Sequence, residues 1–138
     1  TPVKGLESTL LSLNRNGFIL GVATNDAEGA AISHLKNAKI YEHFDFVVGY
    51  DSGFGSKPDP GQIIAFCTQM NLKPNEVLMI GDSTHDLIAS ANAGTIPIGV
   101  LTGPAVKDDL KPYSSRILNS IEDLIGLLKI KATKIVEN

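Results

Sequence analysis

Val77-Leu78-Met79-Ile80-Gly81-Asp82-Ser83-Thr84-His85-Asp86-Leu87 is the stretch whose reading decides the fold. Four apolar residues in a row have strand length and mark a strand covered on both faces. Gly81 lets the chain turn, and Asp82 follows at once. A second carboxylate, Asp86, comes four residues later, one turn into a helix that is rich in small residues over 87–93 and stops at Gly94. Like charges at this spacing repel by about 0.2–0.5 kcal/mol on an isolated helix. The repulsion grows where water is excluded, so a nearby cation becomes attractive. A small number of hard oxygen ligands suits Mg²⁺, which keeps several of its waters. The plainer reading makes Asp82 a helix N-cap and Asp86 a solvated acid of the first turn.

Outward from this unit, the pattern repeats. Phe18 to Ala23 and Phe44 to Val48 are further apolar runs of strand length, and Ile96 to Leu101 is another, with Pro97 predicting an edge position. Ile117-Leu118 is a small extended piece. Leu6, Leu10, Leu11 and Leu13 recur at helical spacing. Thr1 as cap and Pro2 at the first helical position open that helix, and Gly17 stops it. Asn25 and Asp26 can cap the next helix, which carries Ala27, Ala31, Ile32 and Leu35. Gln62 to Met70 is helical after a glycine- and proline-rich loop over 49–60. A short helical stretch covers 106–110, and Ile121 to Leu128 is a terminal helix capped by Ser120. Strands alternating with helices predict an α/β fold, a parallel sheet with helices on both faces. Sites in such sheets form at the carboxyl ends of the strands. Those ends are Thr24-Asn25-Asp26, Gly49-Tyr50-Asp51, Gly81-Asp82-Ser83 and Thr102-Gly103.

The 138 residues make one domain. A net charge of −3 with both signs interspersed leaves no basic stripe for a nucleic acid. No apolar run reaches the roughly 18 residues of a membrane helix, and no signal peptide is visible. A single cysteine, Cys67, excludes an internal disulfide framework and predicts a reducing, cytoplasmic setting. The first residue is Thr1, which predicts a processed chain or a fragment.

Two further residues have chemistry to offer at strand ends. Thr24, with the N–H groups of its turn, suits a phosphate at a helix N-terminus; the plainer reading is capping. Lys57, in Gly55-Ser56-Lys57-Pro58-Asp59-Pro60, sits in a loop stiffened by two prolines. A fixed ammonium there neutralises a carboxylate cluster and a phosphate together; the plainer reading is a solvated loop lysine.

The order Thr, then Lys, then Gly-Asp-x-x-x-Asp resembles the haloacid dehalogenase superfamily, especially phosphoglycolate-phosphatase-like members with a helical cap. The matching stretches are Gly21-Val22-Ala23-Thr24-Asn25, Ser56-Lys57-Pro58-Asp59-Pro60-Gly61 and Gly81 to Leu87. Ala93-Gly94 and Gly99-Val100-Leu101-Thr102-Gly103 are also similar. The resemblance covers essentially the whole chain. It implies a Rossmann-like core and a Mg²⁺-dependent phosphatase acting on a small-molecule phosphate monoester. It also implies a role for each residue. Thr24 and Asn25 hold the phosphoryl group, and Lys57 balances charge. Asp82 binds Mg²⁺, and Asp86 supports both the metal's water shell and Lys57.

One departure is large. The family's first motif, Asp-x-Asp, occurs nowhere in the chain. Its first aspartate is the nucleophile that forms an aspartyl-phosphate, and its second is the usual general acid/base. The resemblance therefore implies a nucleophile upstream of Thr1, no cap, and a sheet lacking its first, central strand between the Phe18–Ala23 and Val77–Ile80 runs. Either another polypeptide (an N-terminal fragment or a second copy of the chain) supplies that strand, or the two edges close up.

Two other classes compete. A non-catalytic phosphate-binding or regulatory module explains the absent aspartates but not the retained Thr24, Lys57, Asp82 and Asp86. A receiver-like signalling domain places its acidic pair early and its lysine last, the reverse of the order here. Cys67 is expected in a helix core, and His34 and His43 lack metal-ligand spacing. Gly55-Ser56-Lys57 is not a phosphate-binding P-loop.

Overall fold

The computed structural model describes residues 5–103, 105–114 and 116–128; the expected helix start at Thr1-Pro2 lies outside them. The chain runs α1 (Leu6–Arg15), β1 (Gly21–Ala23), α2 (Glu28–Asn37), β2 (Phe46–Val48), α3 (Gly61–Gln69), β3 (Leu78–Gly81), α4 (Thr84–Ala93), β4 (Ile96–Val100), α5 (Lys107–Leu110), β5 (Ile117–Leu118) and α6 (Leu124–Leu128). The α/β alternation is as expected, and every strand pairing is parallel.

The helix stops follow from backbone chemistry. Gly17 has φ 85 and Gly94 has φ 81, the left-handed region that glycine enters without a Cβ penalty. At each, the chain closes the helix with the same pair of bonds. Gly17 N–H donates to Asn14 O and Phe18 N–H to Leu13 O; Gly94 N–H donates to Ala91 O and Thr95 N–H to Ser90 O. The start of α2 corrects the expected cap. Asn25 and Asp26 do not cap it; Asp51, from the loop after β2, accepts from Glu28 N–H at 2.9 Å. Asp26 is engaged elsewhere, its N–H donating to Thr24 Oγ1.

The core gathers where helices meet strands. Phe46 and Val48 of β2 pack with Ala65 of α3. Phe66 meets Phe46 edge-on, with ring centroids 5.5 Å apart, the geometry that aromatic quadrupoles favour. Leu87 of α4 and Leu110 of α5 are fully buried.

Pro97 does not make β4 an edge strand: β4 lies between β3 and β5. Local geometry explains the tolerance. Ile96 N–H donates to Val77 O on the β3 side, whereas Gly99 N–H donates to Arg116 O on the β5 side. By parallel alternation, the nitrogen of Pro97 faces the β5 side. The β4–β5 pairing begins only at Gly99, so proline interrupts no ladder bond.

The strands form two sheets rather than one, β1–β2 and β3–β4–β5. Their edges β1 and β3 face each other across an apolar cleft of about 580 Å³, flanked by Leu10 and Leu13 of α1, Ile63 and Phe66 of α3 and Leu124 of α6. The expected alternative, closure of the two edges on each other, does not occur. Alternation identifies the backbone groups turned into the cleft. Asp45 N–H donates to Leu20 O, and Thr24 N–H donates to Val48 O. The even residues of β1 therefore serve β2, and Ile19, Gly21 and Ala23 face the cleft. On the other wall, Val77 serves β4, so Leu78 and Ile80 face the cleft. The apolar runs are correspondingly less covered than two-faced burial predicts. Phe18 is 38% exposed and Ile19 40%, and Leu78, Met79 and Ile80 are half-buried.

Candidate functional site

Lys57, Asp82 and Asp86 come together at the carboxyl end of the cleft. Lys57 reaches it from the loop before α3. Its Nζ donates to the Asp86 carboxylate at 2.5 Å and to the Ala23 carbonyl at 2.6 Å. The Ala23 carbonyl is one of the groups that β2 leaves unpaired, so an ammonium satisfies the end of an otherwise open edge. Both side chains of the ion pair are close to buried, at 9% and 11% exposure.

The backbone of Lys57 is held as firmly as its ammonium. Asn25 Oδ1 accepts from Lys57 N–H at 2.8 Å, and Asn25 Nδ2 donates to Lys57 O at 3.0 Å. The Asn25 side chain is thus spent on aiming Lys57. Thr24 sits beside it, and its hydroxyl oxygen accepts from Asp26 N–H at 3.1 Å. That contact uses a lone pair and leaves the hydroxyl proton to donate outward.

Asp82 and Asp86 differ in environment. The helix cap is Ser83, whose hydroxyl accepts from Asp86 N–H at 3.3 Å. Asp82 is therefore not the cap of α4, and Asp86, 8% exposed, is not a solvated acid. The second carboxylate oxygen of Asp86 accepts from Asp82 N–H at 3.2 Å. Gly81 permits this closeness, since a Cβ there would lie 2.3 Å from Asp86 Cβ. Gly103, after β4, backs onto the Asp82 carboxylate, where a Cβ would lie 2.6 Å from Oδ2. Burial, and then the charge of Asp86, push the Asp82 carboxyl above the ordinary carboxylate range.

A stability effect with a definite sign follows. Below the ordinary aspartate pKa of about 3.9, Asp82 is protonated whether the chain is folded or unfolded. As pH rises past that value, the unfolded chain ionises first. Stability then falls until the raised folded pKa is passed, and stays lost above it. Asp82→Asn is therefore expected to raise the urea midpoint at pH 7 and to leave it unchanged near pH 3. An equal midpoint for both proteins at pH 7 contradicts this.

Two participants were hidden in the sequence. Ser83 had a signal, the Ser-x-x-Asp spacing to Asp86 that marks a helix start. Gln62 had none, being a polar residue in the first turn of an ordinary helix. In the structure it is fully buried, and its Nε2 donates to Thr24 O at 2.9 Å.

Residues 1–100 match the family described as haloacid dehalogenase-like hydrolase. The chain belongs to the haloacid dehalogenase-like hydrolases. Among curated relatives, it is 32% identical over 123 residues to the pyrophosphatase PpaX of Bacillus mycoides, covering 87% of this chain and 56% of that protein. Among solved structures, it is similar to a predicted phosphoglycolate phosphatase from Haemophilus somnus, with TM-score 0.84, 25% identity and coverage of 91% of this chain and 56% of that one. A predicted phosphatase from Clostridium acetobutylicum gives TM-score 0.82, 29% identity and coverage of 91% and 59%. The chain thus spans a little over half the length of the relatives it matches. The haloacid dehalogenase-like assignment agrees with the fold and with the order of Thr24, Lys57 and the aspartate pair along the chain.

The chemistry of the donor set bears on a metal. Among the described residues, no three His, Cys, Asp or Glu side chains cluster. Asp86 is committed to Lys57, which leaves the Asp82 carboxylate as the free hard ligand. One carboxylate with several waters is compatible with Mg²⁺, and a cation beside Asp82 would offset the burial and the Asp86 charge that raise its pKa.

Proposed function

We propose that this chain forms the phosphate- and metal-binding part of a magnesium-dependent phosphatase that hydrolyses a small-molecule phosphate monoester. The observation that carries the reading is the Lys57 ammonium, held between Asp86 and the Ala23 carbonyl beside Asp82. A fixed positive charge next to an available carboxylate suits a phosphoryl group and its counter-ion, in a part-dry setting where such charges act strongly. In this reading the Thr24 hydroxyl and the Asn25 N–H donate to phosphoryl oxygens, and Lys57 balances charge. Asp82 would hold Mg²⁺, and Asp86 would orient Lys57 and support the ion's water shell. When bound, Mg²⁺ supplies charge neutralisation at the phosphoryl group. The buried, unpaired Cys67 fits a reducing cytoplasmic setting.

Calorimetric titration of the chain with inorganic phosphate tests this. Binding should require Mg²⁺ and be lost in Asp82→Asn. Phosphate binding that ignores both Mg²⁺ and Asp82→Asn would refute the metal assignment, and no binding at all would refute the site.

The nucleophile in this reading is an aspartate on a polypeptide segment other than those described. The cleft supports the idea, because its two facing edges, β1 and β3, both leave backbone groups unpaired. An unpaired buried peptide group costs about 1–3 kcal/mol, so a strand entering parallel to β1 and β3 would satisfy several at once. Size-exclusion chromatography with light scattering, plus mass spectrometry, is expected to find a companion peptide or a dimer. A cooperative, companion-free monomer would argue against strand addition. The absence of Asp-x-Asp also supports a second reading, a regulatory module that binds phosphate without turnover. Magnesium-dependent hydrolysis by the longer parent protein would exclude it.

A further inference from the structure

We infer that Gln62 is a positioning residue that sets the orientation of the Thr24–Asn25 peptide, and through it the direction of the Asn25 N–H. The inference rests on the phosphate-site reading and deepens it.

Gln62 lies in the first turn of α3, with no exposed surface. Its Nε2 donates to Thr24 O at 2.9 Å, while its Oε1 is buried without a partner among the described residues. A buried amide with one satisfied end is costly compared with an apolar side chain of the same shape. Packing alone therefore does not account for it; the donor has a task.

That task follows from peptide geometry. A trans peptide is planar, and its C=O and N–H point in opposite directions. Thr24 N–H serves β2 through Val48 O, and the β1 strand ends just before it. The next peptide has no ladder partner to fix its plane. Tyr50 N–H, the donor that β2 would offer next, donates instead to Asp26 O. Gln62 takes over, fixing Thr24 O toward α3. The Asn25 N–H must then point the opposite way, and it makes no hydrogen bond among the described residues. Alternation gives the direction: it shares the side of Ala23 O, which is the side occupied by the Lys57 ammonium. One side-chain donor thus turns a free N–H toward the place where a phosphoryl group would meet Lys57 and the Thr24 hydroxyl. Asn25, whose side chain is spent on Lys57, keeps its main chain for the ligand.

The test uses the full ¹⁵N-labelled chain, with Gln62→Met as the variant of similar size without a donor. Residual dipolar couplings report the orientation of the Asn25 N–H bond, and titration with inorganic phosphate in the presence of Mg²⁺ reports its use. In the wild type, phosphate should shift the Asn25 amide signal. In Gln62→Met, the Asn25 coupling should change while those of Val22 and Val47 persist, and phosphate affinity should fall by about tenfold or more, as expected for losing a charge-assisted hydrogen bond. Should Gln62→Met not fold, Gln62→Leu serves in its place, smaller and likewise without a donor. An unchanged Asn25 coupling, or a wild-type phosphate response matched by the variant, overturns this inference alone. A wild-type chain whose Thr24 and Asn25 amides ignore phosphate overturns the phosphate-site reading and this inference with it.

Discussion

Pure chain incubated with p-nitrophenyl phosphate and Mg²⁺ is expected to release no p-nitrophenol above the uncatalysed background. In the proposed reaction a carboxylate attacks phosphorus, and the aspartyl-phosphate is then hydrolysed. No Asp-x-Asp is present to supply that carboxylate. Asp86 cannot replace it, because one of its oxygens is held by Lys57 and the other by Asp82 N–H. Electrostatic stabilisation without a nucleophile leaves a residual enhancement of roughly 10³–10⁴ in other hydrolases. Phosphate-monoester hydrolysis is among the slowest uncatalysed reactions, so such a residue stays below detection. Turnover that needs Mg²⁺ and disappears in Asp82→Asn would show that a nucleophile lies among these residues after all.

Lys57→Met is expected to cost about 3–5 kcal/mol of folding stability. The Lys57–Asp86 pair is nearly dry, and removing one partner of a buried pair strands the other charge. The stranded group would be the Asp86 carboxylate, with Asp82 as its neighbour. The Ala23 carbonyl also loses its donor. Against a typical domain stability of about 5–15 kcal/mol, that is a large fraction. Urea denaturation would show it as a lower midpoint with an unchanged slope. Lys57→Met/Asp86→Leu should recover part of the loss, because no isolated charge remains. A single-variant loss under about 1 kcal/mol would mean that water reaches the pair and that Lys57 is not fixed.

Much of this architecture was legible because it depends on local pattern. The apolar runs marked four of the five strands, and Gly17 and Gly94 marked two helix ends through the one backbone conformation they adopt readily. The association of Lys57 with the aspartate pair followed from their order along strand ends of a parallel sheet. What escaped depended on tertiary geometry. Pro97 reads as an edge signal, and only the late start of β5 lets it sit in an inner strand. Asn25 and Asp26 have capping chemistry, yet a residue from a distant loop, Asp51, takes that position. That the Asn25 side chain aims Lys57 through two hydrogen bonds to its backbone was also not legible, because the partner lies 32 residues away. Gln62 owes its importance to where the Thr24 carbonyl points, which no periodicity encodes.

The cleft also has a consequence for handling the protein in concentrated solution. Native sheets blunt their open edges with lysine, proline, bulges or a covering element. Pro97 lies in β4, whereas the edges that need such protection are β1 and β3. The runs Phe18 to Ala23 and Val77 to Gly81 contain no charge and no proline. Each is a short apolar template with alternate backbone groups unspent, and so a site for strand pairing between copies. Strand pairing between copies is therefore expected to begin at these two edges, which frame the end of the sheet where Lys57, Asp82 and Asp86 meet.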